Sequence, residues 1–224
     1  MFTPVFRVVR ACGLLLVIGH LAVAEPVAER WEEEVARIEA REQAAPPPAG
    51  AIVFTGSSSI RLWKSLAEDF PQHAVVNRGF GGSQISDLIA YFDRLVTPGQ
   101  PRQIVIYSGT NDLSAGEEPA QVLADLATLS GMIRAALPDA KLAWISAAPN
   151  PARWSQREAQ QQFNGWARAY CERMGYDFID VWEPMLGEGG EPTRDIYIGD
   201  KLHMNDAGYV IWREVVGPYL IETK

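Results

Sequence analysis

Cysteine is almost missing from this chain: two occur among 224 residues, Cys12 and Cys171. Histidine is as scarce, at three, and no His-Glu-x-x-His pair is present. Thiolates and imidazoles are the usual zinc ligands, so a zinc-centred protein is disfavoured and no metal is expected. There is no Gly-x-x-x-x-Gly-Lys segment, and Gly79-Phe80-Gly81-Gly82 lacks the wider pattern that cradles a dinucleotide; no cofactor is expected. Positive charge is also short. Twenty Lys and Arg face 28 Asp and Glu, a net charge of −8, with no basic cluster. That balance argues against a nucleic-acid partner and against an anionic membrane surface. No internal repeat or low-complexity tract interrupts the chain.

The one long apolar run lies at the start. Arg7 and Arg10 precede the stretch from Ala11 to Ala24, which is too short to span a bilayer comfortably and ends in Ala22-Val23-Ala24. Residues 1–24 read as a secretory signal cut before Glu25; a retained anchor carries less weight, and the residues before Cys12 do not suit lipidation. The expected protein is exported, periplasmic or extracellular, with no membrane insertion of the mature chain. Cleavage leaves Cys171 as the only thiol, so no internal disulfide can form, and a buried, inert side chain is expected there.

Residues 25–50 predict a charged helix followed by a stiff linker. Val27, Trp31, Val35 and Ile38 recur at one-turn spacings and form a narrow apolar stripe, and Pro46-Pro47-Pro48 ends the helix. Residues 51–224 make one domain, in which short apolar runs alternate with amphipathic segments. Strands are expected at Ala51–Thr55, His73–Asn77, Gln103–Ser108, Lys141–Ser146 and Asp177–Val181. Helices are expected over Ile60–Phe70, Ser83–Val96, Pro119–Leu137 and Ser155–Met174. A last helix is capped by Asn205 or Asp206 and carries Val210, Ile211, Val215 and Leu220. This order gives an α/β fold: a five-stranded parallel sheet in a three-layer α/β/α domain of the flavodoxin-like type.

Ligands of such sheets bind beyond the C-terminal ends of the strands. Ser57, Ser58 and Ser59 follow the first strand, where an apolar run breaks at Gly56 into a helix start. Serines at such turns are mostly N-caps. Gly81-Gly82 follows the second strand, Gly109-Thr110-Asn111-Asp112 the third, and Asp200-Lys201-Leu202-His203 comes after the fifth. Of the two histidines beyond the leader, His73 enters the second strand at the opposite rim and reads as a surface residue. His203 stands at the right rim, three residues after Asp200. On a turn that spacing lets the carboxylate hold one imidazole nitrogen and leaves the other free for a serine proton. Arg153 and Trp154, after the fourth strand, border the expected pocket; contact with an acyl or sugar group competes there with a weightier reading, a rigid proline turn with Trp154 packed at the helix start. Trp63 and Trp182 can both be core.

Taken together, these blocks resemble the SGNH (GDSL-like) hydrolase family over nearly all of residues 51–220. Gly56-Ser57-Ser58 looks like its Gly-Asp-Ser block, which puts the nucleophile on Ser58. Asn77-Arg78-Gly79-Phe80-Gly81-Gly82 is similar to the second block, Gly109-Thr110-Asn111-Asp112 to the third, and Asp200-Lys201-Leu202-His203 to the Asp-x-x-His block. The resemblance implies a serine esterase. Ser58, His203 and Asp200 would be its triad, and the amides of Ser58 and Gly82 with Asn111 its oxyanion hole. A small-molecule or glycan ester would be the substrate, with a mild lean to short acyl groups. Two other readings stay open: an O-acyltransferase to a sugar hydroxyl, and a non-catalytic glycan- or lipid-binding module. The chain departs from the family at Ser57, where the block has aspartate, and at Ser59, where it has an aliphatic residue.

Overall fold

The computed structural model describes residues 30–222; the expected leader lies outside them. Five strands, β1 (Ile52–Gly56), β2 (Val75–Gly79), β3 (Gln103–Tyr107), β4 (Lys141–Ile145) and β5 (Asp177–Ile179), form one sheet in the order β2-β1-β3-β4-β5. Every pairing is parallel. Side chains alternate between two cores, as the period of two demands. Ile104, Ile106, Leu142 and Trp144 face one, and Val105, Tyr107, Ala143 and Ile145 face the other. The first core is covered by α1 (Glu32–Ala44), α4 (Ile85–Ala90), α5 (Phe92–Leu95), α7 (Pro119–Ala136) and α8 (Arg157–Met174). The second lies under α2 (Ser58–Arg61), α3 (Leu66–Asp69) and α9 (Asp206–Val216). Both faces are buried, hence the near-continuous apolar strands. Among the described residues no helix is long and apolar enough to cross a membrane.

Several boundaries differ from the sequence reading. The second strand runs two residues further, to Gly79, because Arg78 is part of it. Its side chain is 2% exposed and its guanidinium meets the Glu42 carboxylate of α1 at 2.8 and 2.9 Å, so a cation sits where the pattern asked for an apolar residue. The segment Ile60–Phe70 is not one helix. Asp69 accepts hydrogen bonds from Trp63 Nε1 at 2.6 Å and Ser65 Oγ at 2.7 Å, and these bonds divide it into α2 and α3. Ser83–Val96 divides similarly at Tyr91. Asn205 caps α9, its side chain accepting from Ala207 N at 3.0 Å and Gly208 N at 3.3 Å. The inward face of α9 is Tyr209, Trp212 and Val216, whereas Val210 is exposed. Trp63 and Trp182 are core. Cys171 is fully buried, and burial pushes its thiol up to about 12.

Register sets the working rim. Gly56 lies opposite both Gly79 and Tyr107, so the residues that follow β1, β2 and β3 emerge level with one another.

Candidate active site

Gly56 makes the turn out of β1 possible. Its φ is +113°, and a Cβ there would lie 2.1 Å from the Tyr107 carbonyl oxygen, so only glycine fits. The chain then enters α2. The Ser57 N–H donates to Tyr107 O at 2.9 Å, and the Ser57 carbonyl accepts from Ile60 N and Arg61 N. Ser57 therefore works through its backbone; its side chain makes no capping bond to the helix. Ser58 opens α2, where the helix itself offers its N–H no acceptor.

Ser58 Oγ lies 2.9 Å from Nε2 of His203, a residue 145 positions away in sequence. The other ring nitrogen, Nδ1, is 2.6 Å from Asp200 Oδ2. The second Asp200 oxygen accepts the backbone N–H groups of Leu202 and His203, both at 2.9 Å. Burial raises the Asp200 carboxyl, but the bonds from the His203 ring, the His203 amide and the Leu202 amide outweigh it, and the net shift is downward. With an ionised Asp200 accepting the hydrogen bond of Nδ1–H, Nε2 is free to accept from Ser58 Oγ. The turn itself is tight: Lys201 adopts φ +60°, its N–H donates to Ile198 O at 2.9 Å, and its carbonyl accepts from Ala152 N at 3.1 Å.

Packing beneath the rim fixes this meeting. Trp63, just after α2, stacks on Tyr209 of α9 with ring centroids 5.4 Å apart and meets Trp212 edge-on at 5.8 Å. The Tyr209 hydroxyl donates to Ser59 O at 2.8 Å. The helix that follows His203 is thereby pinned to the helix that carries Ser58.

Asn111 comes from α6 (Thr110–Ser114). Its Nδ2 donates to Ser83 O at 2.9 Å, which leaves one of its two N–H bonds available. A Cβ built on Gly82 would stand 3.8 Å from Nδ2 of Asn111, so the Gly82 backbone and this amide are neighbours. The loop between β2 and α4 is held by two carboxylates: Asp87 accepts from Gln84 N and Asp112 from Ile85 N, both at 2.8 Å.

All of the residues singled out as the site, Ser58, Gly82, Asn111, Asp200 and His203, thus lie on one rim. His73 is at the other end of the sheet, its Nδ1 3.0 Å from Ile221 O. Arg153 and Trp154 lie in a 3₁₀ segment, Pro151–Gln156. Trp154 stacks on Trp182 at 6.0 Å, and Arg153 Nη1 donates to Thr110 O at 3.2 Å. Two supports escaped the sequence reading. Asp112 was visible as half of an Asn-Asp pair that usually marks a turn. Trp31 was visible only as part of the apolar stripe of the first helix, yet its ring packs on the loop after β2: a Cβ at Gly81 would fall 1.9 Å from a ring carbon, and Phe80 meets the ring edge-on at 6.0 Å.

Among the described residues, Asp112, Glu117 and Asp125 each bring a carboxylate oxygen within 4.8 Å of the others. Burial, opposed by the amides of Ile85 and Asp112 and reinforced by the charges of Glu117 and Asp125, raises the Asp112 carboxyl to about 7. Burial and the Asp125 charge also raise Glu117. Below pH 7 a proton on Asp112 relieves the repulsion among the three groups.

Residues 48–211 match the family model described as GDSL-like Lipase/Acylhydrolase. No curated protein sequence matches the chain significantly. Several solved structures share its fold. A Streptococcus pneumonia protein provisionally assigned as a platelet activating factor is 22% identical, with a TM-score of 0.73 over 87% of this chain and 94% of the other. A GDSL-like lipase from Bacteroides thetaiotaomicron is 20% identical, with a TM-score of 0.70 over 83% and 96%. An acetyl xylan esterase is 18% identical, with a TM-score of 0.64 over 76% and 99%.

Proposed function

The chain belongs to the GDSL-like Lipase/Acylhydrolase family and is an ester hydrolase; on that footing we propose that Ser58, His203 and Asp200 carry the reaction through an acyl-enzyme. The observation that bears most weight is the pair of contacts at His203, 2.9 Å to Ser58 Oγ and 2.6 Å to Asp200. A serine hydroxyl is a poor nucleophile at neutral pH without such a base.

In the first step Ser58 Oγ attacks the ester carbonyl while His203 Nε2 takes its proton. Asp200 keeps the ring oriented and stabilises the imidazolium. The carbonyl oxygen gains negative charge, which the amides of Ser58 and Gly82 and the free N–H of Asn111 receive. His203 returns the proton to the departing alcohol. Water then repeats the attack on the acyl-enzyme, with His203 again as base, and the acid leaves. The structural likeness to an acetyl xylan esterase supports short acyl groups as the natural load. The leader expected over residues 1–24 adds export to this reading, and N-terminal sequencing of secreted protein would show whether it begins at Glu25.

Ser58→Ala should abolish hydrolysis of an aryl acetate, whereas Ser57→Ala and Ser59→Ala should retain measurable turnover. A dead Ser59→Ala beside an active Ser58→Ala would move the nucleophile by one residue and sink this assignment.

A further inference from the structure

The segment after β4 carries a cation that the proposed mechanism leaves unused. Arg153 is about half buried, and burial holds its guanidinium below its ordinary value. Other arginines nearby are paired, Arg157 with Glu158 at 3.5 Å and Arg168 with Asp180. Arg153 has no such carboxylate partner among the described residues; its one hydrogen bond from the side chain goes from Nη1 to Thr110 O at 3.2 Å. A guanidinium offers five donors in a planar fork. Withdrawing it from water without an anion is costly, and that cost is recovered when an anion arrives.

Its position is what gives the unpaired charge meaning. Thr110 immediately precedes Asn111, and the neighbouring Ala152 N donates to Lys201 O at 3.1 Å, inside the Asp200–His203 turn. Arg153 therefore stands where the segment after β4 joins both the turn that carries Asn111 and the turn that carries His203. The segment is also fixed in advance. Asn150 Oδ1 accepts Arg153 N at 2.9 Å, the Tyr197 hydroxyl donates to Pro149 O at 2.5 Å, and Trp154 is stacked on Trp182. A pre-set fork binds a carboxylate in bidentate fashion at little further entropic cost.

We propose that Arg153 is a specificity-determining residue that selects esters bearing a carboxylate near the scissile bond. This rests on the ester-hydrolase site described above. The carboxylate can belong to the acyl part or to the alcohol part, and two isosteric substrate pairs tell these apart. 4-Nitrophenyl hydrogen succinate against 4-nitrophenyl succinamate puts the charge on the acyl side. 3-Acetoxybenzoate against 3-acetoxybenzamide puts it on the alcohol side. A charge-assisted bidentate contact predicts a kcat/KM preference for the anion of about 10- to 100-fold in one pair. Arg153→Gln, which keeps a donor for Thr110 O, should bring that ratio to about one, and Arg153→Lys should retain part of it. Where the esters are turned over, the proposal is overturned if the wild-type protein shows no anionic preference in either pair, or if the preference survives Arg153→Gln. Calorimetry on Ser58→Ala, with and without Arg153→Gln, separates binding from turnover. Succinate against succinamate and 3-hydroxybenzoate against 3-hydroxybenzamide are the probes. If none of the four esters is turned over but carboxylate binding disappears with Arg153, the nucleophile assignment fails and the Arg153 assignment stands. Carboxylate binding that ignores Arg153 overturns the latter.

Discussion

Asn111 and Asp112 are adjacent in sequence and do different work. Asn111 spends one amide N–H on Ser83 O, and the other is the one proposed to meet the developing oxyanion. Asn111→Ala should therefore lower kcat by about 10²–10³-fold with little change in melting temperature. A rate equal to wild type would remove Asn111 from the oxyanion hole. Asp112 holds Ile85 N from below and carries a carboxyl raised from 3.8 to about 7, chiefly by burial. The folded state therefore binds a proton that the unfolded chain releases above pH 4. The stability that proton contributes is complete below the unfolded value and is lost as pH rises through 7. Asp112→Asn keeps an acceptor for Ile85 without titrating. Its stability relative to wild type should rise between pH 4 and pH 8, by on the order of 2–4 kcal/mol. Denaturant melts of both proteins at the two pH values measure the difference, and parallel curves would refute it.

Among the elements, α1 departs most from a simple sequence reading. Its stripe predicts an exposed charged helix packed on the body, and Val35 and Ile38 do bury as that stripe requires. The same helix also reaches the working rim. Trp31, at its start, covers Gly81, next to the glycine whose amide is proposed to face the oxyanion. Glu42, near its end, neutralises the buried Arg78 in β2, the strand leading into that loop. Trp31→Ala should cost about 2–3 kcal/mol, less than a fully buried tryptophan because the ring is only half buried. It should also lower kcat by about tenfold or more, since small displacements of positioned groups weaken catalysis strongly. Thermal melts and aryl acetate kinetics on the same preparation distinguish the two effects. A lower melting temperature with wild-type kcat would reduce α1 to a stabilising element.

At the scale of the whole molecule, strand and turn signals were legible because they act over a few residues. Short β-branched runs read as buried parallel strands, Gly56 and Pro46-Pro47-Pro48 as breaks, and the alternation of elements as a sheet covered on both sides. The rim followed from topology alone, and Ser58, Gly82, Asn111, Asp200 and His203 could all be assigned to it. The errors have a common origin. β2 was set two residues early because Arg78 looks like the end of a strand until Glu42 neutralises it. On α9, Val210 points outward and Tyr209 inward, a choice that local pattern leaves open and that packing against Trp63 and Trp212 makes. The break between α2 and α3 depends on Asp69, whose bonds to Trp63 and Ser65 compete with the helix.

By itself, then, the sequence determined the alternation of elements, the parallel sheet and the rim at which polar groups collect, since each rests on backbone preference and on hydrophobic period. Only tertiary structure decided that Ser58 Oγ meets His203, that Trp31 closes over Gly81, and that Arg153 is left without a carboxylate among the described residues. Those outcomes depend on side chains brought together across tens to hundreds of residues. Packing and desolvation set their geometry and their charge, and neither is written in a local pattern.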